Sequence, residues 1–197
     1  ERLLNGVIKP GERIREDLLA EEISVSRTPV REAINQLIAE GFVYQIPRKG
    51  LFATKFTKEE LIDIVEIRVM LESYAVKKCC QNITDKEIRE LETIFNNLKD
   101  ALLKDDFVNA GVYDGMFHRK IGEFSRNNKL SSYVNDIEDL VVFARRTEAY
   151  NSQPKYKGED SIKQHENILM AIKNRDEEAA AKAIEKNTRE LLKRMKY

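Results

Sequence analysis

Only two histidines occur in the 197 residues, His118 and His165. Both fall at positions where helical periodicity calls for an apolar side chain. Around His118 the core stripe is Tyr113, Phe117, Ile121 and Phe124, and Asp114 lies one turn before the imidazole on the same edge. His165 interrupts the stripe of Ile162, Leu169 and Ile172, and Asn187 interrupts that of Ala180, Ile184, Leu191 and Met195. Three helices thus each turn a ligand-type group inward, which is costly unless those groups meet one another or a bound species. Imidazole with carboxylate suits zinc, nickel or manganese, and three protein ligands leave coordination positions open to water or a ligand oxygen. The alternative is a metal-free arrangement in which Asp114 and its neighbours satisfy two buried histidines.

Cations also stand in apolar stripes. Arg68 sits among Leu61, Ile64, Val65, Leu71 and Ala75, so it needs an anion: Glu72 one turn on, Glu66 nearby, or the carboxylate of a small effector. Arg145 follows Ile137 and Val141 around its helix and is expected inside with the same choice, unlike the adjacent Arg146.

A second chemistry lies nearer the N-terminus. The chain is neutral, with 34 Lys and Arg against 34 Asp and Glu, so no global field points to nucleic acid or a membrane. Between Arg27 and Lys55, however, Arg27, Arg31, Arg48, Lys49 and Lys55 face only Glu32 and Glu40. Arg27 and Arg31 are one helical turn apart, and Ser26 and Thr28 stand beside them. That set suits a helix whose first turn reads base edges in the major groove while hydroxyls and guanidiniums hold phosphates. A solvated helix face is the bland alternative.

The elements that must position these groups follow from punctuation and period. Ser26-Arg-Thr-Pro29 starts a helix carrying Val30, Ala33, Ile34, Leu37 and Ile38, and Gly41 stops it. Leu18, Leu19 and Ile23 predict a shorter helix before it, so the pair forms a helix-turn-helix. Phe42–Ile46 and Leu51–Thr54 predict a hairpin wing around Pro47-Arg48-Lys49-Gly50, with Phe and Val packed under the helices. Beyond Thr57, helices are expected at about 58–80, 85–104, 106–126, 130–149, 159–174 and 176–196, with breaks at Asn127-Asn128 and across 151–158. The expected fold is mainly α: a winged helix-turn-helix over residues 1–57, then an antiparallel bundle of about six helices over residues 58–197. The numbering opens on Glu1, so the first helix of the head is expected to be cut short.

Cys79 and Cys80 are adjacent and poorly placed to pair with each other. No apolar run reaches the ~20 residues of a membrane helix. A reducing, cytoplasmic setting without membrane contact is the expectation.

The motifs then sharpen. Pro10-Gly-Glu-Arg-Ile14, Leu19-Ala-Glu21, Val25-Ser-Arg-Thr-Pro-Val-Arg-Glu-Ala33, Glu40-Gly-Phe-Val43 and Arg48-Lys-Gly50 resemble the GntR family of bacterial regulators across nearly the whole first domain. The resemblance implies a winged-helix homodimer on palindromic double-stranded operator DNA, with Ser26, Arg27, Thr28, Arg31, Lys49 and Gly50 touching it. Asp17 stands where some relatives carry a further DNA-contacting arginine. Asp114-Gly-Met-Phe-His118, the Asn127-Asn-Lys-Leu130 turn and Gln164-His165 through Ile172 are similar to the FCD effector domain of one GntR subgroup. That likeness implies a divalent metal held by Asp114, His118 and His165. Asn187 falls where the pattern usually has a fourth, histidine ligand.

The expected function is a sequence-specific regulator, a repressor, controlled by a small organic acid bound at or near the metal. A metal-free regulator is one alternative, kept open by Asn187. A metalloenzyme fused to a DNA-binding head is another; against it, the sequence has no His-Glu-x-x-His pattern and no activated Ser or Cys nucleophile.

Overall fold

In the computed structural model, residue 3, residues 7–145 and residues 158–194 are described. The N-terminal part folds as β1 (Arg13–Ile14), α1 (Glu16–Glu22), α2 (Arg27–Ala39), β2 (Val43–Ile46) and β3 (Gly50–Ala53). Ser26 is the N-cap of α2 in extended backbone (φ −69°, ψ 163°), but its hydroxyl makes no capping hydrogen bond. The helix leaves through Gly41 at φ +83°, a conformation open to glycine.

The wing is a three-stranded antiparallel sheet in the order β1-β3-β2, with Arg13 opposite Phe52 and Tyr44 on the other side of Phe52. The hairpin was expected; β1 was not. Phe42 and Val43 are buried as expected, whereas Phe52 lies half-buried and stacks on Tyr44 with ring centroids 5.7 Å apart. Leu18 and Ile23 are exposed, a correction to the expected apolar face of the first helix: only Ala20 of α1 is buried.

Among the described residues six helices follow: α3 (Lys58–Asn82), α4 (Asp85–Leu103), α5 (Phe107–Phe124), α6 (Asn128–Ala144), α7 (Gly158–Lys173) and α8 (Glu177–Arg194). Capping boxes start two of them. Thr57 accepts from the Glu60 amide while Glu60 receives the Thr57 amide, and Thr84 with Glu87 repeats this at α4. Asp106 and Asn127 cap α5 and α6 through their side chains. The fourth bundle helix was expected to run to 149; α6 reaches Ala144 with Arg145 as its C-cap, and residues 146–157, including Arg146, lie outside the described residues.

α3 runs along α8 and also meets α5 and α6, while α4 lies between α5 and α7. The main core joins Val76, Leu91, Phe95, Phe117, Ile121, Phe124, Ile168, Ile172 and Ile184. A separate core under the winged helix joins Ile14, Ala20, Val30, Ile34, Phe42, Val43 and Ala53, and one of its members, Phe143, comes from α6. Cys79 and Cys80 are both free and buried. No helix among the described residues is long and apolar enough to cross a membrane.

Candidate functional site

Asp114, Gly115 and His118 occupy the inward edge of α5, where they face α3, α6 and α7 across the middle of the bundle. Asp114 Oδ1 lies 3.1 Å from His165 Nε2 of α7, and Asp114 Oδ2 lies 2.7 Å from Arg145 Nη1 at the end of α6. The two imidazole centroids are 5.6 Å apart, and one ligand atom from each of Asp114, His118 and His165 can be chosen so that all lie within 4.8 Å. The sequence expectation that these three converge matches their placement.

What holds each imidazole decides what it can do. His165 Nδ1 lies 2.9 Å from the carbonyl oxygen of Ser161. A carbonyl only accepts, so Nδ1 is the donor there, and Nε2, 3.1 Å from Asp114 Oδ1, is the ring atom that a metal would take. His118 Nδ1 faces Glu72 Oε2 at 3.1 Å, and its Nε2 is buried with no hydrogen-bond partner among the described residues. Both histidines are thus anchored through Nδ1 by an oxygen, the arrangement that orients a metal-binding imidazole. Two Nε2 atoms and the Asp114 carboxylate are left facing one space. The residues present fit a divalent cation.

Arg68 is 1% exposed. Its Nε donates to Glu72 Oε1 at 2.9 Å, and its Nη2 lies 2.6 Å from Glu138 Oε1 of α6. Thr188 Oγ1 of α8 donates to Glu72 Oε2 at 2.9 Å. Glu72, one of the two partners weighed from sequence, is therefore present; Glu66 is exposed. Glu138, Thr188 and Ser161 escaped the sequence reading. The signal for Glu138 was there, since it stands in the stripe Val134, Ile137, Val141 as Arg68 does in its own.

Two guanidiniums, Arg68 and Arg145, face three carboxylates, Glu72, Glu138 and Asp114. Burial opposes charge on Asp114, yet Arg145 and the two imidazoles hold its carboxyl well below the usual range. Burial likewise opposes Glu72, and Arg68 with His118 outweighs it and holds that carboxyl low. For Glu138 burial wins over Arg68, so its carboxyl is pushed up. His118 is raised because Glu72 outweighs the burial that would lower it. Within the cluster carboxyl groups outnumber guanidiniums by three to two.

Asn187 is 8% exposed, and its Nδ2 donates to Gln164 Oε1 at 3.2 Å, beside His165 in sequence. The amide is thus turned towards α7, with its oxygen as the remaining ligand-type atom.

The second candidate surface belongs to the head. Arg27, Thr28 and Arg31 are exposed on α2, and Arg31 Nη2 reaches Glu16 Oε2 at 3.5 Å. The wing turn runs through Pro47 and Arg48, the latter at φ +64°, and closes with the Lys49 amide donating to the Ile46 carbonyl at 3.1 Å. Arg48 and Lys49 are exposed at its tip, and Gly50 follows at φ +114°. Asp17 is occupied by Arg15 at 2.8 Å.

A winged helix joined to an all-helical bundle is the architecture of a two-part transcriptional regulator. The profile of the FCD domain matches residues 63–189, and that of the bacterial regulatory proteins of the gntR family matches residues 1–52. The chain belongs to the GntR family of transcriptional regulators and carries an FCD domain. It is 36% identical over 179 residues to the Nta operon transcriptional regulator of Aminobacter aminovorans, covering 88% of this chain and 79% of that protein. The gluconate operon transcriptional repressor of Bacillus licheniformis is 25% identical over 94% of this chain and 77% of its own length. Among solved structures, Escherichia coli McbR/YncC has the same fold, with a TM-score of 0.84 at 24% identity over 96% of this chain and 89% of that one.

Proposed function

We propose that this chain is a ligand-responsive repressor: a homodimer that reads palindromic operator DNA through residues 1–57 and senses a small organic acid through residues 58–197. The observation that carries the reading is the joining of an exposed Arg27, Thr28 and Arg31 face on α2 to a bundle whose centre is a buried Asp114, His118 and His165 cluster. α2 enters the major groove with Ser26, Arg27, Thr28 and Arg31 towards it, and Arg48, Lys49 and Gly50 bring the wing to the adjacent minor groove.

In the bundle, Asp114, His118 and His165 hold a divalent ion of the zinc, nickel or manganese type, with Asn187 as a weak fourth donor. When bound, the ion supplies a Lewis-acidic seat for an effector oxygen. Arg68 and Arg145 provide the guanidiniums that an effector carboxylate pairs with in exchange for Glu138 and Asp114. A carboxylate effector agrees with a relative named for a gluconate operon. The exposed Ile67, Met70 and Tyr74, three and four residues apart along α3, offer an apolar face for the second copy. The regulatory reading is preferred to a metalloenzyme because the relatives and both matched domains are regulators.

A duplex recovered by the protein from a random-sequence pool gives the test. Arg27→Ala is expected to weaken its binding by about 2–6 kcal/mol over two half-sites, with the thermal melt unchanged. Wild-type affinity in Arg27→Ala removes α2 from the interface.

A further inference from the structure

The head contains a concavity of about 790 Å³ between α2 and the sheet. Its charged lining is Arg13, Arg15, Glu16, Asp17, Arg27 and Arg31, and Gly50 forms part of the opposite wall. Two of the four arginines are already engaged: Arg15 with Asp17 at 2.8 Å and Arg31 with Glu16 at 3.5 Å. Among the described residues no carboxylate pairs with Arg13 or Arg27. Arg27 belongs to the reading helix. Arg13 belongs to β1, the strand that sequence patterning does not reveal.

Arg13 is exposed, yet it is not loosely placed. Pairing with Phe52 of β3 fixes its backbone, and its guanidinium lies over the wing glycine. A Cβ on Gly50 would come within 3.2 Å of Arg13 Nε and 3.3 Å of Nη2. Gly50 therefore serves two needs, its positive φ and the room that the guanidinium occupies. An arginine already held by a strand loses less freedom on binding than a free surface one.

When a recognition helix occupies the major groove and a wing enters the neighbouring minor groove, the sugar–phosphate strand dividing those grooves must pass between helix and wing. In this head, that passage is the concavity. We infer that Arg13 is a phosphate-clamping residue, a DNA contact outside both the recognition helix and the wing tip, which grips this dividing strand. It supplies from β1 a cation that Asp17 does not supply from α1. Glu16 and Asp17 do not cancel it, because each is spent on a neighbouring arginine. The inference rests on the DNA-binding mode proposed above.

A phosphate contact carries no sequence information, and that separates it from Arg27. The test measures fluorescence anisotropy across a salt series on two labelled duplexes, one recovered from a random pool and one scrambled to the same composition. Arg13→Ala is expected to weaken binding to both duplexes by the same factor, about tenfold. The slope of log affinity against log salt is expected to fall by about 0.9 for each protomer. Arg13→Lys restores the slope, and Arg13→Gln, which keeps side-chain bulk on the strand, behaves as Arg13→Ala and decides the matter if the alanine variant does not fold. A wild-type slope and affinity in Arg13→Gln overturns the inference, as does a loss confined to the recovered duplex. If no duplex is recovered from the pool, the proposed operator reading fails, while the same salt series on an arbitrary mixed-sequence duplex still decides Arg13 on its own.

Discussion

Asn187 is the weak fourth donor of the proposed metal centre, and that proposal has a measurable consequence. An amide oxygen is a weaker zinc donor than imidazole, and this amide already bonds Gln164. Asn187→His is expected to tighten zinc binding at least about tenfold in a competition titration against a chelator, the scale on which ligand-set changes act. Equal affinity would show that α8 does not reach the ion. Metal analysis of purified protein is expected to find a divalent ion in the wild type and none in the His118→Ala, His165→Ala double variant; equal, negligible content in both would remove the centre. At this scale the meeting of Asp114, His118 and His165 was legible because polar groups in apolar stripes stand out. The residues that orient it were harder to find. Ser161 acts through its backbone carbonyl, which no residue type announces, and Thr188 reads as an ordinary helical polar residue until Glu72 is placed beside it.

Among elements, legibility followed how local the determinants are. The starts of α3 and α4 are encoded within four residues each, by Thr57 with Glu60 and Thr84 with Glu87. β1 is two residues long and exists only through β3, far along the chain, so no local pattern could show it. α1 was found, but its face was misread, because it packs chiefly on α2 and needs only the small Ala20 there. The crossing of α5 and α6 is similarly non-local. A Cβ on Gly122 would lie 3.3 Å from both Cβ and Cγ1 of the buried Val134, so the glycine sets how closely the two helices approach. That approach keeps Arg145 within reach of Asp114. Gly122→Val is expected to destabilise the protein by about 1–3 kcal/mol through overpacking against a stiff β-branched neighbour. Urea unfolding checks it, and an unchanged midpoint would mean that α6 shifts at no cost.

For the whole molecule the question is how a bundle site can speak to a DNA-reading head, and α6 is the shared part. Its last two turns carry Glu138 against Arg68, Phe143 wholly buried in the core of the winged helix, and Arg145 against Asp114. Phe143 packs edge-on to Phe42 with centroids 5.7 Å apart and to Phe56 at 5.9 Å, and Leu140 lies against Gly41. The head therefore has no complete core without the bundle. Phe143→Ala is expected to cost about 3–5 kcal/mol and to split urea unfolding into two transitions, the head melting first. The same residue tests transmission. A ligand shifts an equilibrium only through unequal affinity for two arrangements, and a divalent ion at Asp114 repels the Arg145 guanidinium that the carboxylate now holds. Hydrogen exchange of β2 and β3 amides is expected to change when zinc is added to the wild type, and to stay unchanged in Phe143→Leu despite equal zinc affinity. The leucine keeps most of the buried volume, so the comparison is made on a folded head. An equal response in both proteins would mean that the signal reaches the head by another route than the end of α6.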